Sequence, residues 1–350
     1  MSAGAGHKRA AQALFFSCQQ NYPEIEAKNI DLLDYSTWFF KKTTASLYHF
    51  LAQYLPTLYG LAYKGTDYSV FAKLLYKMSV LLEINNTRLH DFIADFNPDL
   101  IIATHFLVPA VVKNSALQIP MDMLITDYGL HGFWLAPNIR HFYVATPEMS
   151  EGLKKMDCSA FATGLPVHPE FLVEKNIDFL KAKFNLTPGW KTVLSVSGGF
   201  GLKDNSSLIN KLATTMPQTN LIVISGKDND LLFQKYIKIL PSQNCNYQII
   251  KFTEEIDELM RVADVIITKP GGITLTECAW LNKKIILTEP IPGQEEANES
   301  YFIKNKLAIK LDDADPIQTI TKYLGTPYVS PRPKPFPNDL ILERALKNSP

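Results

Sequence analysis

The chain is poor in the features that mark several common classes of protein. It has only four cysteines, none of them in a CxxC pair: Cys18, Cys158, Cys245 and Cys278. Such spacing argues against a zinc site or a disulfide framework and favours reduced thiols in a cytosolic protein. Lysine plus arginine and aspartate plus glutamate both number 35, so no excess of positive charge predicts a nucleic-acid partner.

Long apolar runs are also missing. The sequence contains no apolar stretch near the ~18 residues that a membrane-spanning helix needs, and no signal peptide. Hydrophobic residues make up 46% of the chain and charged residues 20%, a balance typical of globular proteins. A chain of 350 residues is long enough for two domains.

Short apolar runs that alternate with helical patterns predict a doubly wound α/β fold. Predicted strands lie at 26–33, 100–103, 123–126, 142–145, 192–196, 221–225, 247–252, 265–268 and 284–287. The turn-rich segment 164–169 is interpreted as an interdomain linker. We expect two Rossmann-like domains facing each other across a cleft: an N-terminal domain over 1–165, a C-terminal domain over 166–330 and a tail over 331–350.

The beginning of the chain is unusual for this fold class. A glycine turn over residues 2–7 leads directly into a predicted helix over 8–20, whereas an α/β domain normally opens with a strand. We therefore expect an N-terminal domain that lacks its first strand and gives the His7 turn less support.

The segment 38–82 differs from the rest of the chain. It holds eleven aromatic residues and five lysines against one acidic residue, Asp67. Amphipathic helices that are aromatic and basic suit an anionic membrane surface. The alternative is that these helices cover the sheet while their lysines form a solvated rim. We favour peripheral association with a membrane.

Residues 264–298 are the most informative stretch, because their pattern predicts strand, glycine turn, helix, strand, polar turn and helix. Two helix N-termini then lie at the carboxyl ends of neighbouring parallel strands, a position that attracts phosphate. Glu277 in the first helix can accept hydrogen bonds from a ribose diol. A diphosphate fits between the glycine turns of Gly198-Gly199 and Gly271-Gly272. The pattern predicts a sugar-nucleotide site.

Candidate catalytic groups follow the glycine turn and a strand end in the N-terminal half. His7 can accept a proton near neutral pH, although the turn before it could serve packing alone. Asp127 and His131 suit hydrogen bonding or metal ligation, but no third ligand is apparent, so we expect no metal. His131 and Trp134 are interpreted as the lining of an acceptor site.

A polar group at the start of a later helix suits a sugar. Gln294, Glu295 and Asn298 offer amide and carboxylate groups to hydroxyls, and the alternative is a charged cap of that helix.

Together these residues resemble the family of monogalactosyldiacylglycerol synthases and processive diacylglycerol glucosyltransferases. This family belongs to glycosyltransferase family 28 and is related to the lipid II-forming N-acetylglucosaminyltransferase. The matching motifs are SAGAGHKRAAQAL (2–14), NPDLIIATH (97–105), TDYGLHGFW (126–134), GLPVHPEF (164–171), SGGFG (197–201), TKPGGITLTE (268–277) and PGQEEANESYF (292–302).

The resemblance implies a GT-B fold with an N-terminal acceptor domain and a C-terminal donor domain. It also implies an inverting transfer, without metal or cofactor, of a hexose from a UDP-sugar to a membrane lipid such as diacylglycerol, at the cytoplasmic face of the membrane. Under this resemblance His7 is the candidate base, with Asp127 or His131 as alternatives, and Trp134 lies on the acceptor side.

On the donor side the resemblance assigns roles to a larger set. Glu277 would hold the ribose, the backbone around Phe252 the uracil, Gly198, Gly199, Gly271, Gly272 and Thr274 the diphosphate, and Gln294, Glu295 and Asn298 the hexose. Another GT-B enzyme, such as a UDP-GlcNAc transferase or a UDP-GlcNAc 2-epimerase, is the alternative function, and a non-catalytic sugar-nucleotide sensor is a third.

Overall fold

The computed structural model describes residues 5–38, 85–112, 119–131, 134–136, 138–197, 204–227, 229–328 and 336–347. The aromatic segment 38–82 therefore lies outside the described residues except for Trp38, and so do Gly198 and Gly199. The chain forms two compact units. The first contains residues 1–169, 292–297 and 333–350, and the second contains residues 170–291 and 298–332.

The described helices and strands, numbered in chain order, are mostly short. The helices are α1 (Ala5–Asn21), α2 (Leu32–Tyr35), α3 (Thr87–Phe96), α4 (Leu107–Val112), α5 (Pro147–Lys154), α6 (Ile177–Lys183), α7 (Ser206–Thr215), α8 (Asp230–Tyr236), α9 (Ile256–Val262), α10 (Gly272–Trp280), α11 (Gln294–Lys304), α12 (Pro316–Gly325) and α13 (Pro337–Lys347). The strands are β1 (Ile101–Ala103), β2 (Met121–Leu124), β3 (His141–Val144), β4 (Ala160–Ala162), β5 (Lys191–Val196), β6 (Thr219–Ile224), β7 (Cys245–Ile250), β8 (Val265–Thr268), β9 (Lys284–Leu287) and β10 (Ile309–Lys310).

The first unit is built on a four-stranded parallel sheet in the order β1-β2-β3-β4. Its central strands carry apolar side chains on both faces, and β2 is buried at every position, as expected for a parallel sheet covered by helices. A cavity of about 610 Å³ lies beside β1 and is lined by α1, residues 24–32, α3 and β1. Within the described residues, β1 pairs only with β2 and so forms an edge of the sheet.

A buried charge network explains the acidic residue within strand β2. Asp122 is fully buried and accepts hydrogen bonds from Arg140 Nε at 2.8 Å, Arg140 Nη2 at 2.9 Å and Tyr143 Oη at 2.8 Å. The bidentate pair and the tyrosine hydroxyl satisfy the carboxylate, since an unpaired buried charge would be strongly destabilising.

The second unit is a six-stranded parallel sheet in the order β10-β9-β8-β5-β6-β7. From β5 the chain adds β6 and β7 on one side, and from β8 it adds β9 and β10 on the other. The order therefore reverses between β5 and β8, and in such sheets ligands bind outside the carboxyl ends of the strands at this reversal.

The strand predicted at 26–33 was wrong. Residues 26–31 have no regular structure, and Leu32 already begins helix α2. Asp31 caps that helix by accepting a hydrogen bond from Leu33 N–H at 3.1 Å, and Leu32 and Leu33 are buried in the core. A strand needs a neighbouring strand to pair with, whereas a helix turn satisfies its own backbone. The short strands β4 and β10 were not predicted from the sequence.

One buried side chain of the last helix forms hydrogen bonds with two other segments of the first unit. Asn338 in α13 donates from Nδ2 to Ala13 O at 3.2 Å, Ser17 Oγ at 2.7 Å and Val167 O at 2.9 Å. Its Oδ1 accepts from Val167 N–H at 3.0 Å. One fully buried amide thus joins α13 to α1 and to the segment after β4.

We expect Asn338→Ala to destabilise the first unit by about 2–4 kcal/mol, because it leaves several buried polar groups without partners. The matched control is Asn21→Ala, since Asn21 also links α1 to α13, through Asp339 at 3.0 Å, but in an exposed position. That variant should change stability by no more than about 0.5 kcal/mol. Urea unfolding followed by circular dichroism measures both, and equal losses would contradict the prediction.

Candidate functional site

A group of aromatic rings and hydroxyls surrounds His7 at the carboxyl ends of β1 and β2. The His7 ring lies 4.7 Å from the His105 ring in an edge-to-face arrangement and 5.8 Å from the Trp134 ring. Thr104 and Thr126 each form a hydrogen bond with His7. We call these five residues the histidine cluster.

His7 lies in the first turn of α1, which begins at Ala5 instead of the predicted residue 8. Its Nδ1 is 2.9 Å from Thr126 Oγ1, and its carbonyl accepts a hydrogen bond from Thr104 Oγ1 at 3.1 Å. Both contacts come from residues one or two positions after the end of β1 or β2. These hydrogen bonds therefore attach the start of the helix to the side of the sheet on which the parallel strands end.

His105 is a member of the cluster that was not predicted from the sequence. Its Nδ1 accepts a hydrogen bond from Leu107 N–H at 3.2 Å at the start of α4. An accepting Nδ1 leaves the ring proton on Nε2 and the imidazole neutral. Its position in the sequence could have identified it, because His105 closely follows β1 as Asp127 follows β2.

Both histidines are held in the neutral form. Burial lowers the pKa of His7 from 6.5 to about 4. Burial also lowers the pKa of His105 well below its ordinary value, and the nearby His7 adds to this effect. At neutral pH His7 is thus an uncharged imidazole, the form that can accept a proton.

The loop after β2 contains the other predicted groups of the acceptor side. Asp127 is buried, His131 is half-buried, and the His131 carbonyl accepts from Trp134 N–H at 3.1 Å. Trp134 is only 4% exposed and packs in the core against Phe106. Glycine is required at position 129, because a Cβ there would lie 2.5 Å from the Cβ of Ala297.

In the second unit, the predicted phosphate turn connects β8 to α10. Gly271 is the N-cap residue and has no side chain to cap the helix. The first hydrogen bond within the helix runs from Leu275 N–H to the Gly271 carbonyl at 3.0 Å. The N–H groups of Gly272, Ile273 and Thr274 come before it and therefore have no acceptor within the helix. Among the residues that the structure describes, a Cβ on Gly271 would meet only Thr274 Oγ1, at 4.0 Å.

Glu277 lies in the second turn of α10 and is 3% exposed, while Thr274 is half-buried nearer the helix start. A buried carboxylate close to an uncapped helix N-terminus is rare in a protein interior and needs polar partners. Its position is compatible with the predicted ribose contact.

The remaining residues of the predicted donor site and their neighbours lie at other strand ends or in α11. Ser197 follows β5, and its Oγ is 3.3 Å from Tyr236 Oη. Phe252 follows β7 and is 48% exposed, with Lys227 Nζ 5.3 Å from its ring centre. Gln294 is the first residue of α11, Glu295 is buried, and Asn298 is fully buried with its Nδ2 3.0 Å from Pro270 O.

Among the described residues, no group of three or more His, Cys, Asp or Glu side chains could hold a metal ion. None of the described helices combines the length and the apolar character needed to cross a membrane.

Each of the two units is similar to a known protein family. The family model for monogalactosyldiacylglycerol (MGDG) synthase matches residues 7–167, and the model for the glycosyltransferase family 28 C-terminal domain matches residues 193–336. A processive diacylglycerol beta-glucosyltransferase from Bacillus pumilus (strain SAFR-032) is 30% identical over 92% of this chain and 84% of its own. The enzyme of the same name from Bacillus subtilis (strain 168) is 29% identical over 99% and 93%.

Solved structures with low sequence identity share the fold. UDP-GlcNAc 2-epimerase from Neisseria meningitidis aligns with a TM-score of 0.57 and 16% identity over 78% of this chain and 82% of its own. MurG from Acinetobacter baumannii aligns with a TM-score of 0.53 and 15% identity over 76% and 78%. These proteins have the GT-B fold, which confirms the predicted fold class.

The buried neutral histidines predict a loss of stability in mild acid. The unfolded chain protonates a histidine near pH 6.5, whereas folded His7 protonates only near pH 4. Between these values the unfolded state binds more protons, so folding stability falls as the pH decreases from 6.5 towards 4, by roughly 3 kcal/mol for His7.

Urea unfolding at pH 7.5, 6 and 5 measures this loss for the wild type and for His7→Gln, which has no group that titrates in this range. The variant should lose less stability than the wild type over the interval. Parallel losses in the two proteins would contradict the prediction.

Proposed function

The chain belongs to the family of monogalactosyldiacylglycerol synthases and processive diacylglycerol β-glucosyltransferases, and from this membership we propose that it transfers glucose from UDP-glucose to diacylglycerol. It is a hexosyltransferase with a GT-B fold that forms a β-glycolipid from a UDP-sugar. The observation that carries the proposal is the 30% identity to such a glucosyltransferase over 92% of the chain.

For the donor, we propose that the second unit binds the UDP part of the substrate. The N–H groups of the first turn of α10, which precede the hydrogen bonds within the helix, and the positive end of its dipole suit the diphosphate. Gly198, Gly199, Gly271, Gly272 and Thr274 would contact the diphosphate, Glu277 the ribose hydroxyls and the backbone around Phe252 the uracil. Gln294 and Glu295 would contact the hexose.

For the acceptor, we propose that His7 is the general base. It is neutral at physiological pH because burial lowers its pKa to about 4, and its hydrogen bond to Thr126 at 2.9 Å orients the ring. Asp127 and His131 stay alternative bases, since both follow the same strand end. Trp134 would act on the acceptor side through its contact with His7.

The reaction would proceed in one inverting step. As the acceptor hydroxyl oxygen bonds to the anomeric carbon, its proton passes to the base, and the bond from that carbon to the UDP oxygen breaks with its electron pair going to the phosphate. Helix N–H groups would stabilise this charge. We predict that the reaction needs no metal or cofactor.

The acceptor also suggests where the enzyme acts. Diacylglycerol resides in membranes, so the enzyme must reach a membrane surface, and the aromatic, basic segment 38–82 has the composition for it. We propose peripheral binding at the cytoplasmic face.

The direct test is incubation with diacylglycerol vesicles and UDP-glucose, UDP-galactose or UDP-GlcNAc, with and without EDTA, followed by mass spectrometry of lipids and nucleotides. We expect a β-glucosyl lipid with UDP-glucose, unaffected by EDTA. A lipid product from another donor only would correct the hexose. Epimerised UDP-GlcNAc without any glycolipid would favour the alternative, a UDP-GlcNAc 2-epimerase.

We expect His7→Ala to lower turnover by about 10²- to 10⁴-fold, the usual contribution of a general base, while the Kd for UDP-glucose stays within about twofold. Initial rates and calorimetry measure the two quantities. His141→Ala serves as control, because His141 lies at the start of β3, away from the strand ends of the cluster. Unchanged turnover in His7→Ala would move the base role to Asp127 or His131.

Glu277→Ala should weaken UDP binding by roughly 10- to 100-fold, the usual range for hydrogen bonds to a charged group. The loss should disappear with 2′,3′-dideoxy-UDP, which has no ribose diol to bind. Glu174→Ala, at an exposed acidic residue of the same unit, should bind both nucleotides like the wild type. An equal loss for both nucleotides in Glu277→Ala would show that Glu277 does not act through the ribose.

A further inference from the structure

Asn298 makes a contact that differs from the role which the resemblance assigns to it. The side chain lies in the second turn of α11 and is completely buried. Its Nδ2 donates a hydrogen bond to the carbonyl of Pro270 at 3.0 Å, across 28 positions of sequence. A side chain predicted to meet the hexose thus holds the main chain of the phosphate turn.

The Pro270–Gly271 peptide is held from both sides. Asn298 Nδ2 donates to the carbonyl of this peptide, which belongs to Pro270. The N–H of the same peptide belongs to Gly271 and donates to Lys269 O at 2.8 Å. A peptide unit is planar, so two hydrogen bonds on opposite edges fix the rotation of the whole plane. Pro270 itself has no N–H with which to add a contact.

The orientation of this plane decides the entry into α10. Gly271 follows immediately as the N-cap residue, with φ −76° and ψ 126°. Glycine has few steric restrictions, so the chain itself does little to hold this geometry. The direction of the N–H groups at Gly272 and Ile273 therefore depends on the preceding peptide and on the side chain that fixes it.

We propose that Asn298 is a positioning residue for the nucleotide diphosphate, which it reaches through the Pro270–Gly271 peptide, and is not a contact of the hexose. The proposal rests on the assignment of a UDP-sugar donor to this unit. A hexose contact discriminates UDP-glucose from UDP, whereas a residue that aligns the diphosphate cradle affects both nucleotides equally.

Calorimetric titration of Asn298→Ala with UDP and with UDP-glucose tests the proposal. The affinity for both ligands should fall by the same factor, about 3- to 10-fold for the loss of one buried hydrogen bond. The ratio of the two dissociation constants should match the wild type. A loss confined to UDP-glucose, or no loss for either ligand, would overturn the proposal.

Asn298→Asp provides a second variant of nearly the same shape if the alanine variant does not fold. Its carboxylate has no N–H to donate to the Pro270 carbonyl. The affinity for UDP and for UDP-glucose should therefore fall by the same factor, at least as large as in Asn298→Ala. Asn305→Ala is the matched control, because Asn305 follows the end of α11 and its exposed amide donates to Tyr301 O at 2.8 Å. Its affinities should equal those of the wild type.

The failure of this inference is distinct from the failure of the proposed function. A wild-type protein that binds neither nucleotide would contradict the UDP-sugar assignment itself. Normal binding by the wild type together with unchanged binding by both Asn298 variants would contradict only the positioning role.

Discussion

Parallel strand pairing is the constraint on which the rest of the structure depends. Every strand pair described in either sheet is parallel. After each strand the chain must return to the end of the sheet where the strands begin, so all strands of a sheet end on the same side. The histidine cluster and the α10 start each lie on that side of their own sheet. Residues distant in sequence thereby become neighbours without any direct attraction between them.

The two candidate sites use their strand ends in different ways. In the first unit, the side chains of His7 and His105 are buried and neutral. His7 forms a hydrogen bond with Thr126, and His105 accepts one from Leu107 N–H. In the second unit, the main chain is left open, because Gly271 caps α10 without a side chain. One arrangement suits proton transfer and the other suits binding of an anion.

Much of the second unit was predictable, because its strands are apolar on both faces and are separated by glycine or asparagine turns. Predicted strands at 265–268 and 284–287 match β8 and β9 residue for residue. The first unit was harder. The strand predicted at 26–33 includes Leu32 and Leu33, yet this pair begins a helix turn capped by Asp31. Periodicity over so few residues does not separate the two structures, and only the available pairing partner decides.

Local sequence alone determined the glycine turn between β8 and α10 and the helix that carries Glu277, because these depend on backbone freedom and short-range pattern. Tertiary structure decided which distant groups meet. His105 joins His7, Asn338 joins the last helix to α1, and the amide of Asn298 reaches Pro270. Such contacts form where packed elements leave a buried polar atom that must find a partner. No local pattern encodes that requirement, so the chain has to fold before these partners are known.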